Sequence, residues 1–325
     1  MRKLLATAAI SASFFMGGQA LADDCPVLKQ LGKIQLQPRG NLWGMPVLIN
    51  GTPKVMMLDT GTGHTLITPE TVEELHLPKR PTSNALLLSS TGERSYGYTN
   101  ITSLALGTAV QIPNYQYIID VPLPKGAKRP DTAAAGSVGL ELLSLFDFDM
   151  DLKNGVFNIF GVDHCAGQVV YWKTDAAMIV PFSWDSQGRI RLKVTLDGTQ
   201  LYAVLDTTSP DDTLNLDYYK SLTKFDETAP DVQLVGTAGD GGKIYRHTFG
   251  LLDLGGIGLK NASILVREDK LKQVNRASTN GASNMHNTAS SREPDITLGV
   301  ATIAKLHVYV ASKEEKLYIS AAPAP

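Results

Sequence analysis

The chain has 325 residues, is 43% hydrophobic and 19% charged, and carries a formal net charge of -2, a profile that suits a folded chain of one large or two ordinary domains. Its acidic and basic residues nearly balance and form no long basic run, which excludes the electrostatic footprint of a phosphate-backbone binder and with it a nucleic-acid partner. Beyond the N-terminal segment, no stretch approaches the roughly 20 apolar residues that a membrane span needs.

Residues 1–22 read as a signal. Arg2 and Lys3 precede the apolar segment LLATAAISASFFM, and Ala20-Leu21-Ala22 supplies small residues at the two positions a signal peptidase reads. Cleavage near Ala22, and periplasmic or secreted localisation, are expected. The two cysteines, Cys25 and Cys165, then meet an oxidising compartment, where an even count favours a Cys25–Cys165 disulfide over two free thiols.

The next elements follow a strand rhythm. Met45 to Ile49 leads into Asn50-Gly51, a dipeptide that tolerates positive φ in a tight hairpin, and KVMML returns to deliver Asp59 into the turn of MMLDTGTGHTLIT. A short helix is allowed over Pro69 to Leu75, a small turn falls at Thr91-Gly92, and another short helix is allowed over Gly139 to Leu145. GVDHCAGQVVYWKTDAAM, residues 161–178, reads as a linker. Beyond it Ile190, Leu192, Val194 and Leu196 alternate with Arg191, Lys193 and Thr195, the pattern of a half-buried strand. Asp197-Gly198 is the next hairpin turn, LYAVL delivers Asp206, and a small turn sits at Ala238-Gly239. From about Glu268 to Pro294 the chain is rich in Asn, Ser, Thr and Gly and cannot fill a core. The whole reads as all-β with minor helices.

The chain also repeats itself. Displaced by 147 residues, the segment from Met45 lies over the segment from Leu192 without a gap, and Val47, Gly51, Thr52, Leu58, Asp59, Thr60 and Leu75 find identical partners, ending with Leu75 on Leu222. Average usage gives about two matches in such a window. At the same offset Thr91-Gly92 falls on Ala238-Gly239, and at an offset of 160 VGLELLSLFDFDMDLKNGVFNI from Val138 lies over LGVATIAKLHVYVASKEEKLYI from Leu298. Two lobes with one plan are implied, 23–160 and 179–325, joined by the linker 161–178.

LDTGTGHT followed by VGLELLSLFDFDMDL resembles the retropepsin-like aspartic proteases, and its duplication resembles their two-lobed, pepsin-like arrangement in one chain, of the secreted bacterial branch. The resemblance spans nearly all of the mature chain. It implies two β-barrel-like lobes with a cleft between them, and a secreted aspartic endopeptidase in which Asp59 and Asp206 share a proton and activate a water, without cofactor or metal. Two carboxyls held close cannot easily both ionise, and hydrolysis without a covalent intermediate needs one acid and one base. An extended polypeptide is the implied partner and a monomer the implied state. Thr60 and Thr207 would hydrogen-bond across the lobe interface, Gly61 would let backbone approach the carboxylate, and Thr62 and Ser209 would donate to the adjacent carboxylates. Thr91, Gly92, Ala238 and Gly239 would form flap turns or be ordinary hairpin turns.

The second turn departs from the pattern. Thr208 stands where glycine or another small residue is wanted, and Pro210 follows. Thr208 is counted with the residues that support the pair, but a branched side chain there would crowd the backbone beside Asp206 and spoil the approach of a substrate strand, which keeps open a second reading: a catalytically inactive peptide-binding or envelope scaffold protein. Asp211 and Asp212 read as solvated or capping residues, and the histidines, His64 and His164 among them, show no metal-ligand spacing.

Overall fold

The computed structural model describes residues 25–84, 86–88, 94–107, 110–121, 134–239, 241–268 and 294–322. Residues 1–24, Thr91-Gly92 and most of the Asn- and Ser-rich stretch after Glu268 lie outside the described residues. Alternating apolar positions form two closed rings of six strands. The first runs Leu42–Ile49, Thr52–Leu58, Gly136–Val138, Leu66–Ile67, Val110–Ile119 and Gly97–Leu106, and closes where Val47 to Ile49 pair with Leu104 to Leu106. The second runs Ile190–Leu196, Thr199–Leu205, Ile296–Leu298, Thr213–Asn215, Gly258–Arg267 and Lys243–Asp253, and closes through Thr195 and Leu196. The rings correspond strand for strand and in the same order, so the sequence repeat is a repeat of structure.

The local chemistry is repeated as well. Asn50 and Gly51 have φ of 49° and 82°, and Asp197 and Gly198 have 46° and 82°, two positive angles in succession as the right-handed twist of a tight hairpin requires. The side chain of Asn50 accepts from the Ser103 amide, and that of Asp197 accepts from Gly250 and Leu251, so each turn also fastens the strand that closes its barrel. The helix Pro69–Glu74 is capped by Thr68 and the helix Leu216–Leu222 by Asn215, again equivalent positions.

A shared sheet joins the barrels. Its order is Gln30–Gln35, Val156–Phe160, Asp147–Asp151, Leu306–Ala311, Lys316–Ala321 and Met178–Trp184, and its centre is the antiparallel pairing of Phe148 to Met150 with Val308 to Val310. One face of this sheet, including Phe148, Met150, Phe157, Val308 and Val310, belongs to a hydrophobic core continuous through both barrels. The opposite face carries Asp147, Asp149, His307 and Tyr309, all buried.

Residues from the 161–178 segment cover that second face. The Cys25–Cys165 disulfide is present, Trp172 stacks on His307 with ring centroids 4.1 Å apart, and the Tyr171 hydroxyl donates to Asp149. The His164 side chain is enclosed, 3% exposed, with both ring nitrogens facing acceptors, Nε2 on Asp147 Oδ2 at 2.6 Å and Nδ1 on the Cys165 carbonyl at 3.1 Å. Two acceptors need two donors, so the geometry suits the imidazolium. Burial pulls its pKa down, but the Cys165 carbonyl and the Asp147 and Glu314 carboxylates outweigh this and the net shift is upward from 6.5. A raised folded-state value means that the contribution to stability is full below about pH 6.5 and is lost as pH rises through the higher value. Urea unfolding is therefore expected to show stability declining above pH 6.5, with the decline flattened in His164→Gln. An unchanged slope in that variant would remove His164 from the account.

Candidate active site

Each aspartate is fixed by the strands around it. Asp59 follows Thr52–Leu58 and its amide donates to the Val138 carbonyl at 3.1 Å; Asp206 follows Thr199–Leu205 and its amide donates to the Leu298 carbonyl at 2.9 Å. The chain then turns back under a short helix. The Thr62 and Gly63 carbonyls accept from Leu140 and Glu141, and the Ser209 and Pro210 carbonyls accept from Val300 and Ala301. Pro210 thus keeps the contact that Gly63 makes, because only the carbonyl is used and proline retains it. Gly139 and Gly299 start these helices and are required there: a β-carbon would lie 2.2 Å from the His64 carbonyl oxygen or 2.4 Å from that of Asp211.

The two turns interlock through Thr60 and Thr207, both fully buried. Thr60 N–H donates to Thr207 Oγ1 at 3.1 Å and Thr207 N–H to Thr60 Oγ1 at 3.2 Å, while the hydroxyls donate onward to the Leu205 and Leu58 carbonyls at 3.0 and 2.6 Å. Four buried hydrogen bonds related by the pseudo-two-fold fix one turn against the other.

This lock brings the carboxyls together. The Gly61 amide donates to Asp59 Oδ1 at 3.0 Å, and a β-carbon on Gly61 would lie 2.4 Å from Asp206 Cγ, so the carboxyl of the second half rests against the glycine of the first. Thr208 meets both acids: its amide and hydroxyl donate to Asp206 Oδ1 at 2.8 and 2.7 Å, and the hydroxyl also lies 3.5 Å from Asp59 Oδ1. Burial first, then the charge of Asp206, push the Asp59 carboxyl up to about 6, against the opposing pull of hydrogen bonds from Gly61, Ser137 and Thr208.

Several expectations need correction. Thr62 and Ser209 do not serve the carboxylates: Thr62 Oγ1 accepts from the His64 amide and Ser209 Oγ donates to the Asp211 carbonyl, each bonding within its own turn. Thr208, counted with the residues that support the pair, is the one that supplies a hydroxyl bond to Asp206. Ser137 also serves Asp59, and its signal in the sequence is the later repeat, which extends by one residue to place Ser137 over Thr297. Ala238 and Gly239 lie in the connection between Gln233–Thr237 and Lys243–Asp253, where the Ala238 amide donates to the Gly242 carbonyl. Thr91 and Gly92 lie outside the described residues, though the flanking strands Leu87–Leu88 and Arg94–Ser95 pair with each other. Asp212 is buried and caps the helix Val300–Ile303 by accepting from Gly299 N–H and the Thr302 hydroxyl. His64 pairs with Glu141 at 3.3 Å. Among the described residues no group of three or more His, Cys, Asp or Glu is close enough to hold a metal ion, and no helix there is long and apolar enough to cross a membrane.

Two six-stranded barrels, a shared sheet and paired Asp-Thr turns locked across a pseudo-two-fold define the bilobal aspartic-protease fold. A family model described as aspartyl protease matches residues 45–135, the segment that carries Asp59. Among solved structures, the chain is similar to the aspartic proteinase from Irpex lacteus, with a TM-score of 0.51 and 11% identity over 89% of this chain and 97% of that one. It is also similar to basic 7S globulin from soybean, with a TM-score of 0.45 and 11% identity over 90% of this chain and 96% of that one. No curated protein matches it by sequence.

Proposed function

We propose that this protein is a secreted aspartic endopeptidase that hydrolyses extended polypeptide in a cleft between its lobes, acting as a monomer in the periplasm or outside the cell. The observation that carries the reading is the meeting of Asp59 and Asp206 at one hydroxyl, Thr208 Oγ1, with the Asp59 carboxyl raised to about 6 by burial and by its partner's charge. A pair with one proton between them holds both an acid and a base. The ionised carboxylate takes a proton from a bound water as that water attacks the peptide carbonyl carbon, and the protonated carboxyl donates to the carbonyl oxygen. Neither step needs a covalent intermediate. Interlocking by Thr60 and Thr207 keeps the two groups in register, so little reorganisation is needed at the moment of reaction.

The pH dependence follows from Asp59. Its proton is present below about 6 and is lost as pH rises through that value, so cleavage is expected to be strongest on the acid side of pH 6 and to fall toward neutrality. Incubation of the purified mature protein with an unfolded protein across acid to neutral pH, with and without a pepstatin-type inhibitor, measures this. Absence of cleavage at every pH would favour the inactive scaffold, and a profile peaking above neutrality would count against the proposed acid.

A further inference from the structure

The duplicated turns differ at one position that touches the carboxyls. Gly61 in the first half corresponds to Thr208 in the second, and the added hydroxyl reaches the two carboxyls unequally. Asp59 Oδ1 receives the Gly61 amide at 3.0 Å and has the Thr208 hydroxyl at 3.5 Å, and the Ser137 hydroxyl also favours its ionised form. Asp206 Oδ1 receives both the amide and the hydroxyl of Thr208, at 2.8 and 2.7 Å. Resting on the assignment of Asp59 and Asp206 as the working pair, we propose that Thr208 is a positioning residue that polarises the pair, holding Asp206 as the ionised carboxylate and leaving the shared proton on Asp59. Asp206 is then the base that accepts the water proton, and Asp59 is the acid.

The physical reason lies in what a hydroxyl can give. Thr208 has one O–H proton and two lone pairs. The proton goes to the nearer oxygen, on Asp206, where a donor to an ionised acceptor is worth most. Its lone pairs are left for Asp59, and only a protonated Asp59 has a hydrogen to offer them. The chain Asp59 to Thr208 to Asp206 therefore has a direction. Burial and the neighbouring charge of Asp206 oppose ionisation of Asp59 more strongly than the Gly61 amide and the Ser137 hydroxyl favour it, which fits the same polarity.

The test reads proton location and needs no turnover. Aspartate carboxyls labelled with carbon-13 are titrated by NMR in the unmodified protein, in Thr208→Val and in Thr208→Ser, with Asp59→Asn and Asp206→Asn assigning the two signals. In the unmodified protein the upper titration step of the pair is expected to appear on the Asp59 signal. Thr208→Val keeps the shape but loses the hydroxyl. It should weaken the preference of the proton for Asp59 by at least about tenfold, the effect of removing one hydrogen bond to a charged acceptor, so that the upper step divides between both signals. Thr208→Ser should retain the original division, which guards against a folding defect from the valine. An upper step carried by Asp206, or an identical division in Thr208→Val, would overturn the proposal. A protein that fails the cleavage assay yet titrates as described would sink the endopeptidase reading and leave this polarity standing.

Discussion

Asp59→Asn is expected to lower cleavage by roughly 10²–10⁴-fold, the range for loss of a positioned acid or base, while raising thermal stability at neutral pH. Both effects have one cause. The Asp59 carboxyl is raised from 3.8 to about 6 in the folded protein, by burial first and by Asp206 second. Its contribution to stability is therefore complete below about pH 3.8 and is lost as pH rises through about 6, leaving an ionised, partly desolvated group that costs on the order of 2–3 kcal/mol above pH 6. Asparagine keeps an oxygen for the Gly61 amide and never ionises. The melting temperature of Asp59→Asn should exceed that of the unmodified protein by a few degrees at pH 7, and the two should converge below about pH 4. Such a trade of stability for function marks a site kept for chemistry. If the variant melts below the parent at pH 7 or cleaves as well as the parent, Asp59 is not the strained acid described.

Thr207→Val is expected to destabilise the protein by roughly 2–4 kcal/mol, from the loss of two buried hydrogen bonds one of which leaves a backbone donor without its acceptor. The volume is nearly unchanged, so packing is not the source. Thr207 Oγ1 donates to the Leu58 carbonyl at 2.6 Å and accepts from Thr60 N–H at 3.1 Å, so valine frees the first turn from the second. Thr60→Val should act in the same direction through the Leu205 carbonyl and Thr207 N–H, at 3.0 and 3.2 Å. Because the two share one network, the double variant should cost less than the sum of the single ones. Cleavage should fall in each by lowering kcat rather than by raising KM, since the threonines hold the acids and do not meet substrate. Urea unfolding and steady-state kinetics measure both; additive costs, or an effect confined to KM, would contradict a lock between the turns.

Much of this was legible along the chain. The repeats at 147 and 160 residues located equivalent strands, hairpins and short helices, because a strand that buries one face must alternate and a tight hairpin needs residues that accept positive φ. Asn50-Gly51 and Asp197-Gly198 met that need, and the aspartates stood at the ends of their return strands. The Cys25–Cys165 bridge followed from cysteine count and compartment, and the structure contains it.

The features that can be read along the chain are therefore local and periodic: the duplicated β plan, the turns, and which residues arrive at their ends. Which hydroxyl serves which acid is set by the packing of the two halves against each other. Thr62 and Ser209 stand near the aspartates in sequence, but their oxygens bond within their own turns. The partners that count lie elsewhere, Ser137 on a strand 78 residues from Asp59 and Thr208 on the opposite half of the molecule. The structure likewise shows Thr208 as a donor to Asp206. Hydrogen bonds depend on distances of a few tenths of an ångström and on direction, and across a pseudo-two-fold those are set by how two barrels are locked together, which no one-dimensional spacing encodes.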